Sequence, residues 1–178
     1  MTLPLTDLPP APDAAVVVEA GRARLEWFRD RLRTRGLGTG IVSRSALIRH
    51  LSGVRVDAGA LVVTSDDAWL AASEGSIGTE AAEAVGIRLV AARGYDRDAF
   101  VDPAGSVATA AIGELSRRPP TGPVGVELAQ VPAAIAAALL DRPRDIAPLL
   151  DDDRRHKDQL ELACLRRALS TQSVFRSE

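Results

Sequence analysis

The chain has 178 residues, 46% of them apolar and 26% charged, which suits one soluble domain with a full core. A formal net charge of -2 and an aromatic content of 3% provide neither a field that recruits polyanions nor rings on which bases stack, so no nucleic-acid partner is expected. A lone cysteine, Cys164, excludes an internal disulfide, no apolar run is long enough to span a bilayer, and no secretory pattern opens the sequence; the expectation is a cytoplasmic protein without membrane contact.

Residues 1–15 hold Pro4, Pro9, Pro10 and Pro12 and read as a flexible tail, because proline blocks both helical and strand ladders. Residues 16–150 read as the folded domain. Val16 to Arg35 is amphipathic, with Leu25, Phe28 and Leu32 on one face. Its arginines are interleaved with Glu19, Glu26 and Asp30, which favours a solvated face over a phosphate-binding one. Gly36, Gly38 and Gly40 end that helix, and no glycine-rich loop leads into a following helix as a dinucleotide fingerprint requires. A strand is expected from about Gly38 to Ser43, then a short helix capped by Ser45 and broken at Leu51-Ser52-Gly53. Ala58–Ser65 and Ala68–Ala72 form a hairpin across Asp66-Asp67. Helices follow at Thr79–Val85, Pro103–Leu115 and Pro132–Leu140, and strands at Arg88–Ala92, Val124–Leu128 and Arg144–Leu149. Residues 151–178 read as one long helix. The Asp151-Asp152-Asp153 run suits its positive end, and Leu162, Leu165 and Leu169 share a face with Cys164 packed beside them. The alternation predicts an α/β fold in which helices flank both faces of a mixed sheet.

Chemistry is scarce. The two histidines, His50 and His156, are far apart in sequence, and three adjacent aspartates do not converge on a cation without other ligands. There is no Gly-x-Ser-x-Gly elbow and no phosphate loop, and Lys157 is the only lysine. No catalytic and no metal-binding residue is assigned.

Three stretches carry a family resemblance. Leu47-Ile48-Arg49-His50-Leu51-Ser52-Gly53-Val54 resembles the Asn-x-x-Tyr-Leu-(Ser/Thr)-Gly-aromatic segment in the N-terminal domain of the creatinase, prolidase and aminopeptidase P group of metallopeptidases. Gly125-Val126-Glu127 resembles that group's Ile-Gly-(Val/Ile)-Glu strand. Arg154 to Ala168 resembles its linker helix, Arg-x-x-Lys-(Ser/Asp)-x-x-Glu-(Ile/Leu)-x-x-(Leu/Met)-Arg-x-Ala. The match runs in the family's order from about Gly21 onward. It departs at Leu47 for asparagine, His50 for tyrosine and Val54 for an aromatic residue, which removes aromatic surface.

The resemblance implies a ribonuclease H-like mixed sheet ending in a long linker helix. It implies a non-catalytic domain that forms homodimers and narrows the substrate entrance of a catalytic domain in cis, of the pita-bread type and outside these residues. It carries substrate contact in trans to His50, Ser52, Gly53, Val54 and Arg55. No cofactor is implied here; the manganese, cobalt or zinc pair belongs to the catalytic domain, as does the Xaa-Pro peptidase activity. The alternative is a free-standing binding or scaffold module derived from the same domain, without hydrolase activity. An active nuclease is disfavoured, because only Glu127 stands as a carboxylate at a strand end, and fold analogy is no warrant for activity.

Overall fold

The computed structural model describes residues 12–73, 79–93, 103–139, 143–153, 155 and 157–175. Most of the proline-rich segment, the Tyr95 stretch, His156 and the last three residues lie outside the described residues.

Helix α1 (Ala14–Thr34) opens on Asp13, whose carboxylate accepts the Ala15 N–H at 2.8 Å. Leu25, Phe28 and Leu32 are its buried stripe, as their spacing predicts. The arginine-rich face pairs within itself: Arg33 with Asp30 at 2.5 Å, Arg29 with Glu26, and Arg31 over the Trp27 ring. Only part of that face is solvated as expected: Arg22 donates to the Ala84 carbonyl, Arg24 to the His50 carbonyl and Asp158, and Arg29 to the Thr64 carbonyl, with the Arg24 and Arg29 side chains largely buried. Next come β1 (Thr39–Val42), α2 (Ser45–Ser52), β2 (Gly59–Thr64), β3 (Ala68–Ser73), α3 (Thr79–Val85), β4 (Arg88–Ala92), α4 (Pro103–Arg117), β5 (Val124–Val126), α5 (Ala133–Ala138), β6 (Arg144–Asp145), α6 (Ala147–Asp153) and α7 (Gln159–Phe175).

The strands form one six-stranded sheet in the order β4-β3-β2-β1-β5-β6. β1, β2 and β3 are antiparallel, with Ile41 opposite Val62 and Leu61 opposite Leu70. β4 joins β3 in parallel, and β5 and β6 extend the other edge in parallel from β1. The expected mixed sheet is therefore present, flanked on both faces by helices. Strand alternation sorts the core. Val42, Leu61, Val63 and Leu70 meet α1, α2, α3 and α6 on one face. Ile41, Val62, Trp69 and Ala71 meet α4 and α5 on the other.

Three expectations need correction. Of the glycines 36, 38 and 40, only Gly36 lies at the end of α1; Gly40 is inside β1, against Phe28 and Leu32. Arg144–Leu149 is not one strand: two residues pair with β5, then α6 begins, with Pro148 in its first turn where the missing N–H costs nothing. The acidic run does not start the terminal helix; Asp151 to Asp153 close α6, and α7 starts at Gln159. Carboxylates are disfavoured at a helix C-terminus. Here Asp151 is offset by Arg44 at 2.9 Å, while Arg155 stands 3.8 Å from Asp152.

Candidate functional site

The motif residues gather around α2. This helix has no side-chain cap of its own: its N-cap is Arg44, and Ser45, expected to cap it, instead donates its hydroxyl to the Asp57 carbonyl at 3.0 Å. The cap comes from Glu127, just past β5. Its fully buried carboxylate accepts the N–H groups of Ser43 at 3.2 Å and Arg44 at 3.3 Å and pairs with the Arg44 guanidinium at 2.5 Å. Arg44 also reaches Asp151 of α6. Burial lowers its pKa, but the hydrogen bonds it donates to Asp151 and Glu127 and their charges outweigh that and raise it. The Gly-Val-Glu strand thus ends in a carboxylate that fixes the start of α2 from a distance of more than eighty residues in sequence.

The far end of α2 is equally defined. Ser52 is buried; its hydroxyl donates to the Ile48 carbonyl at 2.5 Å and accepts the Val54 N–H at 3.1 Å. Gly53 has φ of 72°, a left-handed conformation that a side chain resists, and sits against Val17. Val54 is in the core at 1% exposure. Of the five residues named for substrate contact, Ser52, Gly53 and Val54 are occupied in closing the helix, and Arg55 is exposed. The His50 side chain is 9% exposed and turns toward α7, with Nδ1 3.5 Å from Glu161 Oε1.

α7 begins with a reciprocal capping box over Asp158-Gln159-Leu160-Glu161. Asp158 Oδ1 accepts the Glu161 N–H at 2.8 Å, and Glu161 accepts the Asp158 N–H at 3.3 Å. The same two side chains dock the helix. Arg24 of α1 bonds Asp158 through Nε at 3.0 Å and donates to the His50 carbonyl at 2.8 Å, while Glu161 faces His50 and Lys157. Burial raises the Asp158 pKa; the Glu161 N–H, the Arg24 hydrogen bond and charge, and the charge of His50 together hold it below its ordinary value. Past this point the helix face opens. Leu165 is 49% exposed, Leu169 is 66% exposed, and Cys164, expected to be packed, is exposed.

The charged groups of this cluster face opposite charges or amide N–H groups, an arrangement that holds helices in place. Among the described residues no three His, Cys, Asp or Glu side chains gather as for a metal ion, and no helix is long and apolar enough to cross a membrane. Sequence reading missed Arg24, Arg44 and the Asp158–Glu161 box. Only the box had a local signal, an acidic residue three positions before a glutamate at the head of an apolar run.

A six-stranded mixed sheet with helices on both faces defines an α/β domain whose motif residues sit at the two ends of α2 and the head of α7. Residues 24–155, well over half of the chain, match the Creatinase/Prolidase N-terminal domain family, and the chain belongs to it. Solved structures agree on the fold. An Xaa-Pro dipeptidase from Bacillus anthracis superposes with a TM-score of 0.58 at 14% identity over 82% of this chain. The N-terminal domain of the cytoplasmic peptidase PepQ from Mycobacterium tuberculosis H37Rv gives 0.51 at 24% identity, covering 75% of this chain and 97% of that one. The Creatinase/Prolidase N-terminal domain of an X-Pro dipeptidase from Streptococcus pyogenes gives 0.53 at 16%, covering 74% and 98%. This chain spans 38% of the Bacillus anthracis chain. No curated protein matches the sequence.

Proposed function

We propose that this chain is the non-catalytic N-terminal domain of an Xaa-Pro dipeptidase, aminopeptidase or creatinase-type metallohydrolase, and that a pita-bread catalytic domain follows α7. The observation that carries this reading is the terminal helix. Its first turn is anchored by Arg24 and His50, and further along it exposes Leu165 and Leu169. A helix of that build is a connector whose apolar face another body covers. The domain's work is to form a homodimer and to narrow the substrate entrance of the neighbouring catalytic domain with the Gly53–Arg55 turn. Arg55 is the side chain of that turn free to reach out. The manganese, cobalt or zinc pair and the water-activating residues belong to the catalytic domain, and the whole protein works in the cytoplasm.

Hydrolysis of an Xaa-Pro dipeptide tests this. The 178-residue chain supplied with manganese, cobalt or zinc has no activity above buffer. The same chain extended through its reading frame hydrolyses the dipeptide, and a chelator abolishes that activity. Chelator-sensitive turnover by the short chain, or a full reading frame lacking metal ligands, overturns the proposal; the second result leaves the free-standing binding module.

A further inference from the structure

Two buried hydroxyls, Thr39 Oγ1 and Ser43 Oγ, have no hydrogen-bond partner among the described residues. Thr39 is 1% exposed and heads β1. Strand alternation turns it to the side of Ile41, and so toward α4. On that side, at the end of α4, lies a cavity of about 240 Å³. Thr39, Val62 and Trp69 line it from the sheet, Leu115 and Pro119-Pro120 from the α4 end, and Asp66, Asp67 and Arg118 supply its charge.

The wall is held rigidly. Thr121 presses its carbonyl so close to Gly38 that no Cβ fits between them, and Gly38 donates to the Pro123 carbonyl at 3.0 Å. The charges are not equivalent. Arg118 is engaged by Asp67 at 2.9 Å and Glu114 at 3.3 Å. Asp66 has no ion pair among the described residues; its carboxylate accepts the hydroxyls of Ser65 at 3.0 Å and Thr64 at 3.2 Å. Those two hydroxyls, its own backbone N–H and the charge of Arg29 outweigh burial and hold its carboxyl below the usual range, so it is ionised at neutral pH. Thr64 stands opposite Thr39 across the β1–β2 ladder, so the unpaired hydroxyl and the open carboxylate are about one side-chain length apart.

We infer that this cavity binds a small primary amine. Its ammonium meets Asp66, a neutral hydrogen-bonding group a few bonds away meets the Thr39 hydroxyl, and a short branched apolar body lies against Val62, Trp69 and Leu115. A buried hydroxyl left unpaired destabilises the empty protein, and such a ligand would pair it. The inference stands apart from the proposed function, since it draws on the α4 face and not on α2 or α7.

Leucinamide has the required ammonium, amide and isobutyl group. The chain is titrated with it while heteronuclear NMR follows the Trp69 indole N–H, assigned by comparison with Trp27→Phe. The expected result is a saturable shift that N-acetyl-leucinamide, which lacks the cation, does not produce. Asp66→Asn, a change in an exposed turn, weakens binding by about tenfold or more. Thr39→Val weakens binding too, yet raises the thermal midpoint because it removes the unpaired hydroxyl. The absence of saturation, equal binding of the acetylated control, or full binding by both variants would overturn the site. Should Thr39→Val misfold, Asp66→Asn and the control still decide.

Discussion

On the α1 side of the sheet Phe28, Ile48, Leu51, Leu61 and Leu70 meet, each with essentially no exposed surface. On the α4 side the strands offer Ala60, Ala71 and Ala92, and the helix brings Ala108 and Ala111. Large side chains fill the first layer and immobilise α2, whose two ends carry the family motifs. Small ones let α4 lie close to the sheet. The space they leave collects where α4 ends and the chain turns through Pro119 and Pro120: the 240 Å³ cavity opens there, and so does a second one of about 290 Å³. Motif and hollow are thus on opposite sides of one sheet, so a residue's place in a family motif does not predict where there is room for a ligand.

This contrast is open to attack by mutation. Phe28→Ala should cost about 3–5 kcal/mol, against about 1–2 kcal/mol for Val107→Ala in the α4 layer, both read from urea unfolding. Equal costs would erase the distinction. Glu127→Ala should cost about 3 kcal/mol, since it strands two amide N–H groups and leaves Arg44 with only Asp151. Glu127→Gln, which can still accept from the amides, should cost less, and an equal loss would mean that charge pairing matters more than capping. Ser52→Ala should cost about 1–2 kcal/mol by leaving the Val54 N–H unmade. No loss of stability there would show that the α2 end is held by packing alone.

Acidity separates the faces in another way. Glu114 of α4 is buried among Arg88 at 2.7 Å, Arg117 at 3.0 Å and Arg118 at 3.3 Å. Burial pushes its pKa up, but hydrogen bonds from Arg117 and Arg88 and the charges of Arg88 and Arg118 outweigh this and hold it low. A carboxyl lowered on folding contributes stability that is complete above its unfolded value, about 4, and lost as pH falls through the folded one. Unfolding midpoints should therefore be flat from neutral pH to about pH 5 and then decline. In Glu114→Gln the decline should be shallower and the neutral-pH midpoint lower; an unchanged acid limb would remove Glu114 from the account. The smallest effect is a gain. Ala138→Leu, at the edge of the 290 Å³ cavity beside Ile112 and Leu139, should add about 0.5–1 kcal/mol by filling it, measured as a rise in thermal midpoint.

Much of the fold was legible because local signals agreed with the final packing. The stripe of Leu25, Phe28 and Leu32, the hairpin across Asp66-Asp67, and the limits of α3 and β4 all follow from periodicity and turn chemistry. Gly40, Ser45 and Cys164 were misplaced singly, but the errors of element limits lie between residues 144 and 158, where signals compete. Pro148 is compatible with a strand edge and with a helix start, and burial of Ile146, Leu149 and Leu150 against the first layer selected the helix. Three aspartates suggested a helix start, but Arg44, distant in sequence, pairs with the first of them, Asp151, at a helix end. Glu127 was visible as a carboxylate at a strand end; that it caps α2 is a tertiary fact with no sequence period behind it.

The start of α7 has one more consequence. Asp158 and Glu161 close the first turn of the helix and also fasten it to Arg24 and His50. Unwinding that turn would release the fastening, and prising the helix away would strip its first turn of support. A pull applied at Phe175 would therefore reach α1 and α2 before the sheet beneath them.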